Sequence, residues 1–100
     1  MDGFFNLLNK GSRVNQVLYA SAVIDIASIG AVTTVTNTVS CPGAKVGDKV
    51  VLGLPATVNA GVVFDARVSA ADTITLRALN ITAGAIDPGS ATYEFLVFQV

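Results

Sequence analysis

The chain has 100 residues, of which 52% are hydrophobic and only 13% are charged, and its formal net charge at pH 7 is −1. This length suits one domain, and the charged fraction is about half of the ~25% typical of soluble domains. A folded monomer of 10.2 kDa exposes roughly 5,300 Å², which so few charges cover sparsely. We therefore expect other subunits or another protein to cover part of the surface. A monomer with a surface of Thr, Ser, Asn and Ala is the alternative.

Several function classes are excluded by residue type. The basic residues are dispersed and Trp is absent, so we expect no nucleic-acid binding. The chain has no His, which a cysteine nucleophile would need as its base, and Cys41 is the only cysteine, so no intrachain disulfide can form. We expect Cys41 to be a small buried side chain and the protein to be made in a reducing cytoplasm rather than secreted.

No targeting or membrane segment is expected. Asp2 comes too early for a signal peptide, and polar residues interrupt the apolar stretch that follows. The window 17–35 is apolar on average, but it contains Asp25 and many β-branched residues, so a strand and a turn fit it better than a membrane span.

Residues 1–16 form a predicted N-terminal arm that differs from the rest. Asp2 can cap a short helix, and Gly11 follows as a stop. The apolar residues that would share one helix face are Phe4, Leu7 and Leu8. Two helical turns do not persist alone in water, where about 12–15 residues are marginal. We therefore expect the arm to order on assembly, with a frayed terminus as the alternative for the isolated protein.

From Gln16 onward, apolar and polar residues alternate with the period of a β-strand. The residues predicted to face inward are Leu18, Ala20, Ala22, Ile24, Ile26, Val35, Val39, Cys41, Val62, Phe64, Ala66, Val68, Ile74, Leu76 and Ala78. A hydroxyl-lined face is predicted opposite Val35 and Val39, and residues 95–100 are apolar on both faces, as in a central strand or one buried between subunits. About six to eight short strands indicate an all-β antiparallel β-sandwich or jelly roll over residues 17–100.

Acidic residues are the only candidates for catalysis or metal binding. Asp48, Asp72 and Asp87 are in turn positions, where a carboxylate bonds local backbone amides. Asp65 and Arg67 lie two residues apart and are predicted to form a surface ion pair. No two acids are placed together as a glycosidase requires, and none cluster as in a calcium loop. We expect no enzymatic activity, no metal and no cofactor.

The aromatic residues of the last strand are Tyr93, Phe95 and Phe98. They fit core or interface packing better than a sugar-stacking platform. Carbohydrate binding is nevertheless the best ligand-binding hypothesis for a body of this class.

Four segments in order carry a family resemblance: residues 23–26, 42–50, 66–77 and 85–93, followed by the apolar last strand. They read VIDI, PGAKVGDKV, ARVSAADTITLR and AIDPGSATY. With these segments the chain resembles a family of small virion structural domains from tailed bacteriophages. The likeness covers about residues 21–100 and leaves out the arm. Because the matching residues form turns and strands, the resemblance implies a shared fold more firmly than a shared role.

The resemblance implies two functions. The first is a capsid cement, or decoration, protein on the outer surface of the virion shell, whose partners are the major capsid protein and other copies of itself in a homo-oligomer, typically a trimer. The arm residues expected to make contacts are Phe4, Phe5, Leu7 and Leu8 as anchors and Arg13 as a charge contact. The alternative is a head-fibre or tail-fibre module that binds a host surface glycan.

Overall fold

The computed structural model describes residues 14–100, and every regular element in that range is a β-strand. The strands are β1 (Gln16–Ile26), β2 (Thr33–Ser40), β3 (Lys49–Gly53), β4 (Val62–Ala70), β5 (Thr73–Asn80) and β6 (Gly89–Gln99). The all-β prediction is confirmed. The helix predicted in the arm lies outside the described residues.

The strands form two three-stranded antiparallel sheets, with the orders β1-β6-β3 and β2-β5-β4. The sheets lie against each other in a β-sandwich-like arrangement, in which β1 contacts β2 on one side and β3 contacts β4 on the other. The longest strand pairing joins β1 to β6 over 11 residue pairs, so β6 is held along its whole length. We call this part of the molecule the two-sheet body.

The core lies between the two sheets and follows the predicted alternation. Of the predicted inward residues, Ala20, Ile24, Ile26, Val39, Cys41, Val62, Val68, Ile74, Leu76 and Ala78 are buried, and the others are partly buried against them. The central strand β6 adds Tyr93, Phe95 and Val97, all at most 2% exposed. The ring of Tyr93 packs against that of Phe64 with 5.7 Å between ring centroids. Tyr93 and Phe95 are therefore core residues, as predicted.

Asn80, at the end of β5, fixes two connections between the sheets. Its side chain is fully buried, and its Nδ2 donates to the carbonyls of Ile29 at 3.0 Å, Gly30 at 3.2 Å and Gly84 at 2.7 Å. Its Oδ1 accepts from the backbone N–H and the hydroxyl of Thr82 at 2.8 and 2.7 Å. Burial of an amide is tolerated because all of its hydrogen-bonding groups are used. The β1–β2 and β5–β6 connections are thereby held at the same end of the body.

The same end contains two further close contacts. Ile29 is fully buried and exchanges two backbone hydrogen bonds with Ile86, at 2.7 and 2.9 Å. Gly61 has a φ of +88°, and a Cβ at this position would clash with the methyl group of Thr82. Its carbonyl accepts from the backbone N–H of Ile81 at 2.9 Å. Glycine is required here because both the backbone conformation and the available space exclude a side chain.

Candidate functional site

The outer side of the β1-β6-β3 sheet carries a continuous apolar patch, which we call the apolar face. It consists of Val17 and Tyr19 from β1, Val51 from β3, and Leu96 and Phe98 from β6. The register places Val17 opposite Phe98, and it places Tyr19 and Val51 on either side of Leu96. Directly opposed side chains lie about 5 Å apart, so these five form one patch. Tyr19 is 61% exposed and Val51 54%, and nothing in the described chain covers them.

Opposite charges flank the apolar face at its two ends along the strands. Lys49 pairs with Phe98 at one end, and Glu94 pairs with Gly53 at the other. The hydroxyl of Tyr19 donates to Oε2 of Glu94 at 2.7 Å. This hydrogen bond to a carboxylate raises the pKa of Tyr19, because ionisation would break it. The Glu94 carboxylate is therefore held beside the apolar residues.

A shallow depression of about 220 Å³ lies at the Glu94 end of this face. Its lining consists of Tyr19, Val51, Gly53, Glu94, Phe95 and Leu96. Gly53 has no side chain to fill the space opposite Glu94, which leaves the depression open. It is large enough for one or two side chains of a partner, with apolar walls and a single carboxylate at the rim.

The outer side of the β2-β5-β4 sheet is different, and we call it the hydroxyl face. The exposed residues of β2 on this side are Thr34, Thr36, Thr38 and Ser40, as the sequence predicted. On the neighbouring strands, the hydroxyl of Thr75 donates to Ser69 at 2.6 Å. The face is not uniformly polar, because the register also sets the exposed Val63 opposite Leu79 here.

The ion pair on the hydroxyl face corrects one prediction. Asp65 pairs with Arg77 rather than with Arg67: Nε of Arg77 donates to Oδ1 at 3.2 Å, and Nη2 bonds Oδ2. The antiparallel register sets Asp65 directly opposite Arg77, whereas Arg67 is two residues along the same strand. The carboxylate raises the pKa of Arg77, although a pair this exposed contributes little to stability.

The three turn acids bond backbone amides. Asp48 accepts from the N–H of Lys45 at 2.9 Å and Asp87 from that of Gly89 at 3.1 Å, which confirms the local bonds predicted for both. Asp72 was predicted to do the same but bonds the N–H of Gly43 at 2.7 Å, because the β4–β5 turn packs against the β2–β3 loop.

Asp48 has a second partner that the sequence did not indicate. Nε2 of Gln99 donates to Oδ2 of Asp48 at 2.7 Å and to the carbonyl of Gly43 at 2.9 Å. The amide of Gln99 and the N–H of Lys45 both stabilise the ionised form, and they lower the pKa of Asp48 below its ordinary value. These bonds tie the end of β6 to the β2–β3 loop.

Within residues 14–100, the remaining candidates are the Cys41 thiol, a metal site and a membrane-spanning helix. Cys41 is 1% exposed, as predicted, and its burial raises the pKa of its thiol, so it is a core residue. In this range no three residues of the His, Cys, Asp and Glu types lie close enough together to hold a metal ion. Nor does the range contain a helix of the length and apolarity needed to cross a membrane.

The predicted arm contacts lie outside the described residues. They are Phe4, Phe5, Leu7, Leu8 and Arg13. The structure does show where the arm joins the two-sheet body: the N–H of Asn15 donates to the carbonyl of Gln99 at 2.6 Å, directly before β1 begins. The chain thus enters the body at the Lys49 end of the apolar face.

Comparison with known proteins leaves the family open. No protein-family model matches the chain, and no curated protein and no solved structure matches it. The features that bear on function are therefore the residues themselves and the contrast between the two outer faces.

Proposed function

We propose that this chain is a structural protein of a tailed-bacteriophage virion, and specifically a capsid cement protein bound to the outside of the major capsid shell. The observation that carries the proposal is the uncovered apolar face of Val17, Tyr19, Val51, Leu96 and Phe98. Apolar centres with charges at the rim are typical of protein–protein interfaces. The resemblance to virion domains supplies the biological setting. In this proposal the body is a jelly roll and the arm carries a short helix.

Stabilisation of the shell would come from multivalency rather than from one strong contact. In a homo-oligomer such as a trimer, each copy contributes an apolar face and an arm with Phe4, Phe5, Leu7, Leu8 and Arg13. Once one contact forms, linkage raises the effective concentration for the next, so that modest contacts add up to a tight hold. No catalysis is proposed, because the turn acids and the Asp65–Arg77 pair already have structural bonds.

Retention on purified capsids tests the proposal. The informative variant deletes residues 1–13, because this deletion leaves the Asn15–Gln99 bond and β1 intact. A second variant, Val17→Lys/Val51→Lys, charges the apolar face, and Thr36→Lys/Thr38→Lys is its matched control on the hydroxyl face. We expect the first two to reduce bound copies at least about tenfold and the control to bind normally. Full retention of both the deletion and the apolar-face variant would refute the proposal.

A fibre module that binds a host glycan is the second candidate, favoured by one observation. Tyr19 presents an exposed ring beside the depression, and its hydroxyl is bonded to Glu94, which is a combination of ring surface and carboxylate that sugars can use. Under this alternative, the isolated protein binds a glycan on an array, and Tyr19→Ala abolishes that binding. Under the cement proposal, no glycan binding is seen.

A further inference from the structure

We infer that the apolar face is the docking site for the N-terminal segment of a second copy of this chain, with Asp2 beside Lys49 and Lys10 beside Glu94. This inference rests on the proposed function, and it adds to that proposal the surface that binds the arm. Self-association in solution can be tested without capsids, so the two claims can fail separately.

The N-terminal segment and the apolar face are both rich in large apolar side chains. The segment 1–13 contains four large apolar side chains within five positions, between Phe4 and Leu8. The apolar face offers five exposed or half-exposed apolar residues in two adjacent rows, with a depression at one end. Burying one set against the other removes both from water, which is the main driving force for association.

The N-terminal segment and the apolar face also match in length. A helix from Asp2 to Lys10 would be about 12 Å long at 1.5 Å per residue. Along β6, Glu94 lies four residues from Phe98, the partner of Lys49, which corresponds to about 13 Å at 3.3 Å per residue. The two charges of the segment can therefore match the two charges that flank the face, with Phe4 to Leu8 over the apolar rows.

The order of the charges distinguishes the chain's own segment from that of a second copy. Each chain's segment joins the body beside Gln99, at the Lys49 end of its own face. If it folded back along the strands, Lys10 would lie beside Lys49 and Asp2 beside Glu94, so that like charges would meet at both ends. A segment from a second copy can run in the opposite direction and pair opposite charges at both ends. The charge order thus favours a second copy.

This arrangement is heterologous: the segment of one copy occupies the face of the next. Such contacts close into a ring when the rotation between copies permits. A ring of three would agree with the trimer proposed above, and it would leave the hydroxyl face of every copy exposed.

A mixing experiment tests the inference with the full chain. The arm variant Leu7→Asp/Leu8→Asp keeps an intact face, and Val17→Lys/Val51→Lys keeps an intact segment. Sedimentation velocity should show each variant alone as a monomer with at least about a tenfold loss of self-affinity, while a mixture of the two should form a complex. Thr36→Lys/Thr38→Lys should associate like the wild type. Monomers throughout the mixture, or wild-type association of either variant alone, would overturn the inference. If the 1–13 deletion or Val17→Lys/Val51→Lys still loses capsid retention in that case, the cement proposal stands.

A charge exchange tests the direction of the segment. Lys49→Glu should weaken self-association about two- to fivefold, and adding Asp2→Lys to it should restore the wild-type affinity. Thermal unfolding of both variants verifies that the body is intact. If Lys49→Glu instead strengthens association, Lys10 lies next to position 49 and the proposed direction is wrong. If the double variant binds no better than the single one, the Asp2–Lys49 pairing is absent.

Discussion

The two outer faces of the body are made by the same kind of strand, but they differ in what they present. On the β2-β5-β4 sheet, β2 exposes threonines and Asp65 pairs with Arg77 on the neighbouring strands. On the β1-β6-β3 sheet, Tyr19 and Val51 remain more than half exposed, with Leu96 between them. A low total charge therefore does not mean a uniformly apolar surface. Exposed apolar side chains lie together on the β1-β6-β3 sheet, which is the side that we propose a partner covers.

The largest loss of stability is expected for substitution of Asn80, whose side chain holds two connections between the sheets. Asn80→Ala removes the five hydrogen bonds of a buried side chain, including three to carbonyls of the connections between the sheets. Because buried groups are left without partners, we expect the free energy of unfolding to fall by about 2–4 kcal/mol. Urea unfolding measures this, with Thr38→Ala on the hydroxyl face as the control. A loss below about 0.5 kcal/mol would show that the connections do not depend on Asn80.

A smaller loss of stability is expected at the neighbouring glycine. Gly61→Ala places a Cβ against the methyl group of Thr82 in a backbone conformation that alanine rarely adopts. We expect a loss of about 1–3 kcal/mol in urea unfolding. The companion variant Thr82→Ser removes the methyl group, so combining it with Gly61→Ala should recover part of the loss. No recovery would mean that the strain is entirely in the backbone.

Substitutions that exchange an apolar and a hydroxyl side chain between the two faces should separate association from stability. Leu96 is 38% exposed, so Leu96→Thr should change the free energy of unfolding by less than about 1 kcal/mol while weakening self-association severalfold. Thr38→Leu on the hydroxyl face should leave association unchanged. Sedimentation and urea unfolding separate the two effects. Equal association of both variants with the wild type would remove the functional distinction between the faces.

The smallest expected effect is a dependence of stability on acid pH. The pKa of Asp48 is lowered from its ordinary value of 3.8 by Gln99 and by the N–H of Lys45. Its contribution is therefore complete above the unfolded pKa and is lost as the pH falls through the lower folded pKa. Asp48→Asn should flatten the acid side of the stability profile, below the ordinary pKa of 3.8. An unchanged acid slope in the variant would show that Asp48 does not contribute to it.

The sequence predicted the inner side of the body better than the outer side. Alternation identified Ile24, Val39 and Leu76 as inward because a period of two is a local property of a strand. The sequence also indicated that residues 95–100 are apolar on both faces. It did not show that Tyr19 and Val51 flank Leu96, because strand order depends on contacts between segments far apart in the chain.

Contacts between segments far apart in the chain also explain one wrong prediction and two features that were not predicted. Asp65 was assigned to Arg67, its neighbour in sequence, whereas the register pairs it with Arg77. No local pattern around Asn80 revealed that its amide would hold two connections. Nor does the local pattern reveal that Ile29 is buried through its pairing with Ile86. The predicted arm contacts remain predictions.

Sedimentation equilibrium of the full chain over a range of concentrations is the sharpest test of whether a partner copy covers the apolar face. The account predicts a reversible oligomer for the wild type and for Thr36→Lys/Thr38→Lys, and a monomer for Val17→Lys/Val51→Lys at the same concentrations. A wild-type protein that stays monomeric and soluble at every concentration would contradict it.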